Sequence, residues 1–203
     1  VGESYLAPSL DSFKLWFGTD FLGRSVFYKA LIGVKVAFLV GFAATLMSIP
    51  IGILLGAMAG YFGGVIDEII VWFYTTLSSI PYIMLVMAIA FVMGKGLPVV
   101  CVALGITGWV GLCRVIRGEF LKHKNREYVL AAKAIGATHW SRIFKHILPN
   151  VSHQVIIHFS IAFPSAVKAE VILSYLGLGA QLEPSWGKMI DDAKQEIVRD
   201  PSV

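Results

Sequence analysis

The hydrophobic and polar positions of this chain form long apolar blocks separated by short polar segments. Asp, Glu, Lys and Arg are absent from residues 36–66, 69–94, 96–113 and 146–167. A membrane-spanning helix needs about 20 predominantly apolar residues, and each block comes close to or exceeds that length. The pattern therefore predicts four membrane-spanning helices, near residues 33–59, 69–93, 97–117 and 151–177.

The composition agrees with a membrane protein. Of the 203 residues, 57% are hydrophobic and the mean hydropathy is +0.74, whereas soluble domains average about 45–50% apolar residues. A helix satisfies its own backbone hydrogen bonds inside lipid, so we expect an all-α membrane fold.

The basic residues are concentrated in one loop. Eight of the 17 Lys and Arg lie between Arg114 and Lys145, opposed only by Glu119 and Glu127. Cytoplasmic loops carry an excess of Lys and Arg, so this loop is expected to lie inside the cell. Alternation of the spans then predicts the following organisation: an outer-face segment 1–30, a transmembrane domain 31–178 with a cytoplasmic loop 118–150, and an outer-face loop 179–203.

Small and polar residues mark special points within the predicted spans. Gly52, Gly56 and Gly60 recur every four residues, and such a face lets helix backbones approach closely. Ser78 and Ser79 precede Ile80-Pro81 and predict a bend in which the hydroxyls re-satisfy the backbone. The two serines either serve packing alone or line a polar path.

Two further polar residues lie in the outer part of the last predicted span. Placing the charged side chains of Lys168 and Glu170 in the lipid hydrocarbon would cost free energy. Either they face the translocation path or a partner helix, or they reach toward the outer membrane interface.

The cytoplasmic loop reads as two helices around a glycine. Residues 127–135 have helical spacing of their larger apolar positions, and Gly136 is placed as a left-handed helix end. Thr138 is placed to cap a second helix, and Pro149 is expected to end that helix.

Motifs along the chain resemble one family. The order Ala131-Ala132, Gly136 and Ile147-Leu148-Pro149 is similar to the "EAA" loop of ATP-binding-cassette (ABC) importer permeases. Residues 18–25 (GTDFLGRS), 59–64 (AGYFGG), 174–179 (SYLGLG) and 184–187 (PSWG) resemble the dipeptide, oligopeptide and nickel permeases of that class. Ser25 replaces the family's usual Asp, and Leu130 stands where the family usually has Glu.

The resemblance implies a type I permease fold with four of the usual six spans in this sequence. We accordingly expect one further span before residue 1 and one after residue 203. It also implies a coupling helix that docks into a groove of the ATPase, carried here by Glu127, Tyr128, Leu130, Ala131, Ala132, Ile135 and Gly136. We expect an arginine at Ala132 to uncouple ATP hydrolysis from transport.

The resemblance also implies which partners the chain has. The partners would be a second permease, two cytoplasmic ATPases, an extracytoplasmic solute-binding protein and the lipid bilayer of the cell inner membrane. ATP and Mg would bind in the ATPases, because this sequence has no GxxxxGK[ST] phosphate-binding pattern. We expect no cofactor and no metal on this chain; His139, His146 and His153 recur every seven residues, but Pro149 is expected to separate them.

Two other classes compete with this interpretation. A secondary transporter or a channel would carry coupling ions or gating charges within its spans, where charge is sparse here. Residues 131–145 also resemble a helix-turn-helix DNA-binding module. The flanking spans hold that segment against the bilayer, so we expect no nucleic-acid partner.

Overall fold

The computed structural model describes residues 3–10, 12–179 and 183–199, and its regular structure is helical. Within these residues the only β pairing is a bridge between Thr19 and Ser25. A 3₁₀ turn at Phe13–Leu15 comes first, and a π-helical turn lies at Arg142–Ile147. The α-helices are, in order, α1 Val26–Phe62, α2 Gly64–Ser78, α3 Tyr82–Met93, α4 Leu97–Thr107, α5 Trp109–His123, α6 Glu127–Ala134, α7 His139–Ser141, α8 Leu148–Tyr175 and α9 Trp186–Arg199.

Helix α1 is the centre of the bundle and packs against α4, α5 and α8. It begins where the Ser25 hydroxyl accepts the Tyr28 backbone N–H at 3.2 Å, an N-cap that leaves one fewer donor unsatisfied. Large apolar side chains such as Phe38, Leu46 and Leu54 remain exposed along it. Exposed apolar surface on this scale is typical of a face that meets lipid or another protein.

The predicted glycine face of α1 is confirmed as the contact with α5. A Cβ atom at Gly52 would lie 2.9 Å from Leu112, and one at Gly60 would lie 2.6 Å from Phe120. At Gly56 it would lie 2.6 Å from the carbonyl oxygen of Cys113. Each glycine therefore admits α5 to a distance that any larger residue would prevent.

The second predicted span is broken. Helices α2 and α3 meet at 87° across residues 79–81, so the bend expected at Ser78–Pro81 is confirmed but the single helix expected over 69–93 is not. Pro81 offers no backbone N–H, and the Ser79 hydroxyl donates to the Thr76 carbonyl at 2.7 Å. The chain can turn here because side chains satisfy the freed carbonyls.

Three helical stretches of the described chain are long and apolar enough to cross a membrane: Val26–Phe62, Leu97–His123 and His139–Tyr175. The pair α2 and α3 brings the number to four if it forms one span. The all-α membrane fold predicted from the sequence is confirmed.

Pro149 does not end a helix, which corrects the sequence-based expectation. The helical path runs unbroken from His139 to Tyr175. The π-helical turn widens the backbone just before the proline, and the Leu148 N–H bonds the Ile143 carbonyl five residues back. The Asn150 side-chain amide donates to the His146 carbonyl at 2.6 Å. Pro149 lies at the start of α8, a position where the missing N–H of a proline is tolerated.

The segment 179–203, expected to be an outer-face loop, contains helix α9. Lys29 in α1 binds Asp192 of α9 at 3.2 Å and Asp20 at 2.9 Å. The Lys29 side chain is 10% exposed, so this is a largely buried ion pair and its geometry fixes α9 against the start of α1. The Trp186 indole N–H also donates to the Ala30 carbonyl at 3.1 Å.

Candidate coupling helix and polar cavities

Helix α6 packs one side onto the bundle and leaves the other side free. Val129 and Ala132 are buried against it, at 2% and 4% exposure. Leu130 and Ile135 are exposed at 50% and 85%, and Ala131 is exposed as well. The two alanines of the motif thus differ: Ala132 packs inward, and Ala131 lies on an outward ridge formed by Leu130, Ala131 and Ile135.

The start of α6 is fixed by a side-chain contact. The Tyr128 hydroxyl and His123 Nδ1 lie 2.8 Å apart, which joins α6 to the end of α5. Burial raises the pKa of the Tyr128 hydroxyl, with the nearby Arg126 charge opposing it. Tyr128 therefore stays a neutral hydroxyl near neutral pH. Glu127 is exposed in the first turn, where a carboxylate suits the helix dipole.

The end of α6 has the geometry that the sequence predicts. Gly136 has φ +86°, its N–H bonds the Lys133 carbonyl at 3.0 Å, and the Ala137 N–H bonds the Ala132 carbonyl at 3.0 Å. This bond pattern is the Schellman helix end. The Thr138 hydroxyl then accepts the Ser141 N–H at 3.2 Å and caps the next helix. Both expectations are confirmed.

A cavity with a mainly apolar lining and a few polar side chains lies between α1, α4 and α8. It has a volume of about 250 Å³ and is lined by Thr45, Ser48, Tyr82, Thr107 and His158 among apolar residues. The Thr45 hydroxyl oxygen and His158 Nε2 are both buried without a hydrogen-bond partner. Buried polar atoms normally find a partner, so these two atoms are available to water or to a solute.

Of the two predicted serines, Ser78 lines a cavity and Ser79 is absent from both cavity linings. A neighbouring cavity of about 260 Å³ is lined by Ser78 and shares Tyr82 and Thr107 with the first. The Ser78 hydroxyl accepts from Arg114 Nη2 at 2.7 Å. Ser79 is exposed and bonds only within its own turn, to Thr76.

Lys168 and Glu170 are separated from these cavities. Glu170 is 1% exposed, and its carboxylate accepts hydrogen bonds from Ser174, at 2.5 Å, and from Ser185 at the start of α9. Its contacts thus join α8 to α9. Lys168 is exposed on α8. A role for either in the solute path stays a prediction.

Residues 52–197 match the family described as binding-protein-dependent transport system inner membrane component. The chain belongs to this family. The match covers the glycine face, the α2–α3 break, the coupling loop and most of α9, whereas the cavity residues Thr45 and Ser48 lie just before it.

Named relatives agree with that membership. The chain is 43% identical over 197 residues to the dipeptide transport system permease protein DppC of Bacillus subtilis, covering 97% of this chain and 61% of the relative. It is 38% identical to the oligopeptide transport system permease protein OppC of the same organism, covering 91% and 60%. Glutathione transport system permease protein GsiD of Pectobacterium atrosepticum is 35% identical, covering 93% and 63%. The chain thus spans about three fifths of the length of these relatives.

A solved structure shares the fold of this inner membrane component. A chain of the MetNI methionine ABC transporter, in inward-facing conformations, superposes with a TM-score of 0.58 at 20% identity, covering 74% of this chain and 73% of that chain. The likeness supports the ABC permease fold and nothing finer.

The described residues also indicate which ligands this chain could hold. Among them no group of three or more His, Cys, Asp and Glu side chains is placed to hold a metal ion. Sequence reasoning missed the cavity residues Thr45, Tyr82, Thr107 and His158. The available signal was His158, an ionisable side chain inside an uncharged block, because polar residues within membrane spans often mark a functional site.

Proposed function

We propose that this protein is the transmembrane permease subunit of an ABC importer that moves peptides or a related small solute across the cytoplasmic membrane. Support comes from the family and from the relatives named for dipeptide, oligopeptide and glutathione transport. The observation that carries the proposal is the outward ridge of Leu130, Ala131 and Ile135. It is apolar, exposed, and held on a helix whose two ends are fixed by hydrogen bonds.

The ridge suits recognition in which a short helix enters a groove of a partner. We assign that groove to a cytoplasmic ATPase, which would hold ATP and Mg. Two such ATPases, a second permease and an extracytoplasmic solute-binding protein complete the assembly. Glu127 and Tyr128 would flank the groove, and Gly136 would set the direction in which the following helix leaves it.

The helical path from α7 through the π turn into α8 offers a route for coupling. Nucleotide-driven closure of the ATPases would move α6. The residues Ile143 and Ile147 are buried together with Val129 of α6 in one cluster, so motion of α6 would reach α8 through packed side chains. Helix α8 carries His158, which lines the first cavity. This cavity and the neighbouring one lined by Ser78 are our candidates for the solute path.

Replacement of Ala131 by Arg tests the docking. An exposed charge on the ridge should leave the fold of the permease intact and separate ATP hydrolysis from transport in the reconstituted complex. Ala131→Ser is the matched control, because it keeps a small side chain. Wild-type transport in the Ala131→Arg complex would contradict the assignment.

The expectation that Arg at Ala132 tests docking needs correction. Ala132 is 4% exposed against the bundle, and a buried Arg there would act first on folding.

A further inference from the structure

A third cavity lies beside α6 and shares Leu130 with the outward ridge. It has a volume of about 320 Å³ and lies between the end of α1, the α5–α6 connection and α7. Its polar lining is cationic or neutral. The lining residues are Tyr61, Phe62, Lys124, Asn125, Val129, Leu130, Lys133, His139 and Arg142, with no carboxylate among them.

Arg142 is the unusual member of this lining. It is 9% exposed, and its Nε is buried without a hydrogen-bond partner. Its recorded contacts are with His139 Nδ1 at 3.3 Å and with the Tyr61 ring, 5.7 Å from guanidinium carbon to ring centroid. Within the described residues no Asp or Glu forms an ion pair with it. A buried charge is costly unless it is paired, so this guanidinium needs an anion.

The neighbouring groups cannot supply that anion. A guanidinium only donates hydrogen bonds, so its contact with His139 Nδ1 supplies an acceptor but no negative charge. The Tyr61 hydroxyl, 3.1 Å from the same nitrogen, serves the same acceptor. Lys124 interacts electrostatically with Asp67, but both oxygens of that carboxylate are already bound by Arg117.

We propose that this cavity, the Arg142 pocket, binds a phosphate group, with Arg142, Lys124 and Lys133 as its ligands. A guanidinium and two ammonium groups suit the several acceptor oxygens of a phosphate, since charge-assisted hydrogen bonds to phosphate are strong. A volume of about 320 Å³ is in the range of small-molecule sites, so it admits a phosphate that carries an organic substituent.

The same chemistry is offered by two sources, a phospholipid headgroup and free phosphate. The position of the pocket favours the lipid. It opens at the end of a membrane-spanning helix, beside the exposed apolar side chains of Phe62 and Leu130. Basic pockets on the cytoplasmic side of membrane helices attract anionic headgroups.

Native mass spectrometry of the full-length permease in its purified complex tests the lipid arm. The complex is purified in detergent with either phosphatidylglycerol or phosphatidylcholine. We expect selective retention of phosphatidylglycerol by the wild type and a loss of about tenfold in retention for Arg142→Gln and for Lys133→Gln, the effect of removing one charged hydrogen bond. Leu130→Glu, which adds a carboxylate at the exposed edge of the pocket lining, should weaken lipid retention as well.

Arg126→Gln is the matched control, because Arg126 is exposed, belongs to the same loop and does not line the pocket. It removes the same charge and should change retention little. Lys133 and Leu130 are exposed, so their variants keep the test valid if Arg142→Gln fails to assemble.

The free-phosphate arm uses the complex in phosphatidylcholine nanodiscs. A rise in Tm with added inorganic phosphate, lost in Lys133→Gln, would assign the pocket to free phosphate. If neither phosphatidylglycerol nor phosphate binds, or if the pocket variants bind as well as Arg126→Gln does, the proposal is wrong. The docking test at Ala131 is separate, since that variant should keep its lipid.

Discussion

The Arg117 guanidinium donates hydrogen bonds to both carboxylate oxygens of Asp67 and so connects α5 to the first turn of α2. The same turn of α5 approaches α1 so closely that a Cβ at Gly60 would lie 2.5 Å from the Arg117 carbonyl oxygen. One residue thus joins the three helices α1, α2 and α5. A two-pronged guanidinium fits a carboxylate better than a single ammonium does.

Arg117→Lys should therefore lower the Tm of the purified complex by roughly 3–6 °C, because one charged hydrogen bond of the pair is lost. The measurement is thermal unfolding in detergent. Lys122→Gln is the control: its side chain is 67% exposed and pairs with Glu119 within one helix turn, so its loss should matter little. Equal Tm changes for the two variants would mean that the Asp67–Arg117 pair adds nothing specific.

Asp192 should hold α9 in place, whereas its neighbour Asp191 should not. Asp192 binds Lys29 of α1, whereas the partners of Asp191, Lys188 and Gln195, both lie within α9. We expect Asp192→Asn to speed hydrogen exchange in residues 186–199 by about tenfold, and Asp191→Asn to have a much smaller effect. Similar exchange in the two variants would show that the Lys29 contact is not what fixes α9.

The other acid of that cluster predicts a pH dependence. Burial of Asp20 favours its neutral form, but hydrogen bonds from the Arg24 backbone and the Lys29 ammonium outweigh this and hold its pKa below the ordinary value. A depressed folded-state pKa stabilises the fold above the unfolded pKa of about 3.9 and loses that effect as pH falls through the folded value. The protection of amides near Asp20 against hydrogen exchange, relative to the intrinsic rate at each pH, should thus fall below about pH 4. Asp20→Asn should remove this pH step. A step that survives in the Asn variant would assign it to another group.

Gly136→Ala should destabilise the protein because of its backbone angle alone. Gly136 has φ +86°, and no atom lies within 4 Å of the position that a Cβ would take. The cost of a left-handed residue with a side chain is about 1–2 kcal/mol. Gly118 is the matched control: its Cβ also meets open space, but it lies within α5, so Gly118→Ala should be neutral or stabilising. Chemical denaturation would give the free energy of unfolding of each variant. Equal changes in the two variants would show that the left-handed backbone at Gly136 causes no strain.

The sequence was informative where one local pattern decides the structure. The spacing of Gly52, Gly56 and Gly60 and the order of Gly136 and Thr138 each correspond to one contact or one helix end. The sequence-based predictions were wrong where the geometry of the preceding turn or contacts between residues far apart in the chain determine the structure. Pro149 lies within a continuous helical path, because it falls at the start of α8 directly after a π-helical turn. Ala131 and Ala132 are the same residue type, but Ala131 is exposed and Ala132 is buried, because only one side of α6 packs against the bundle.

The membrane orientation stays a prediction that cysteine labelling can test. In a background without Cys101 and Cys113, single cysteines at Arg126 and at Glu183, both exposed, should react from opposite sides of the membrane. Ser185 is fully buried and unsuitable for this purpose. An impermeant reagent applied to intact cells should label position 183 only. Labelling of both positions would overturn the assignment of 118–150 to the inside and 179–203 to the outside.

His158 should contribute to transport through the cavity that it lines. Its Nε2 and the Thr45 hydroxyl are unpaired in the same space, so a solute or water with hydrogen-bonding groups would be held there. We expect His158→Phe to fill part of the cavity, remove that polar atom and reduce peptide uptake by the reconstituted complex by about tenfold, the worth of one hydrogen bond left unmade. His158→Gln, which can still hydrogen-bond, should retain much more activity. His153→Phe makes the same substitution on an exposed part of α8, outside the cavity lining, and should transport normally. Uptake that is unchanged in His158→Phe, with the complex assembled, would exclude this cavity from the solute path.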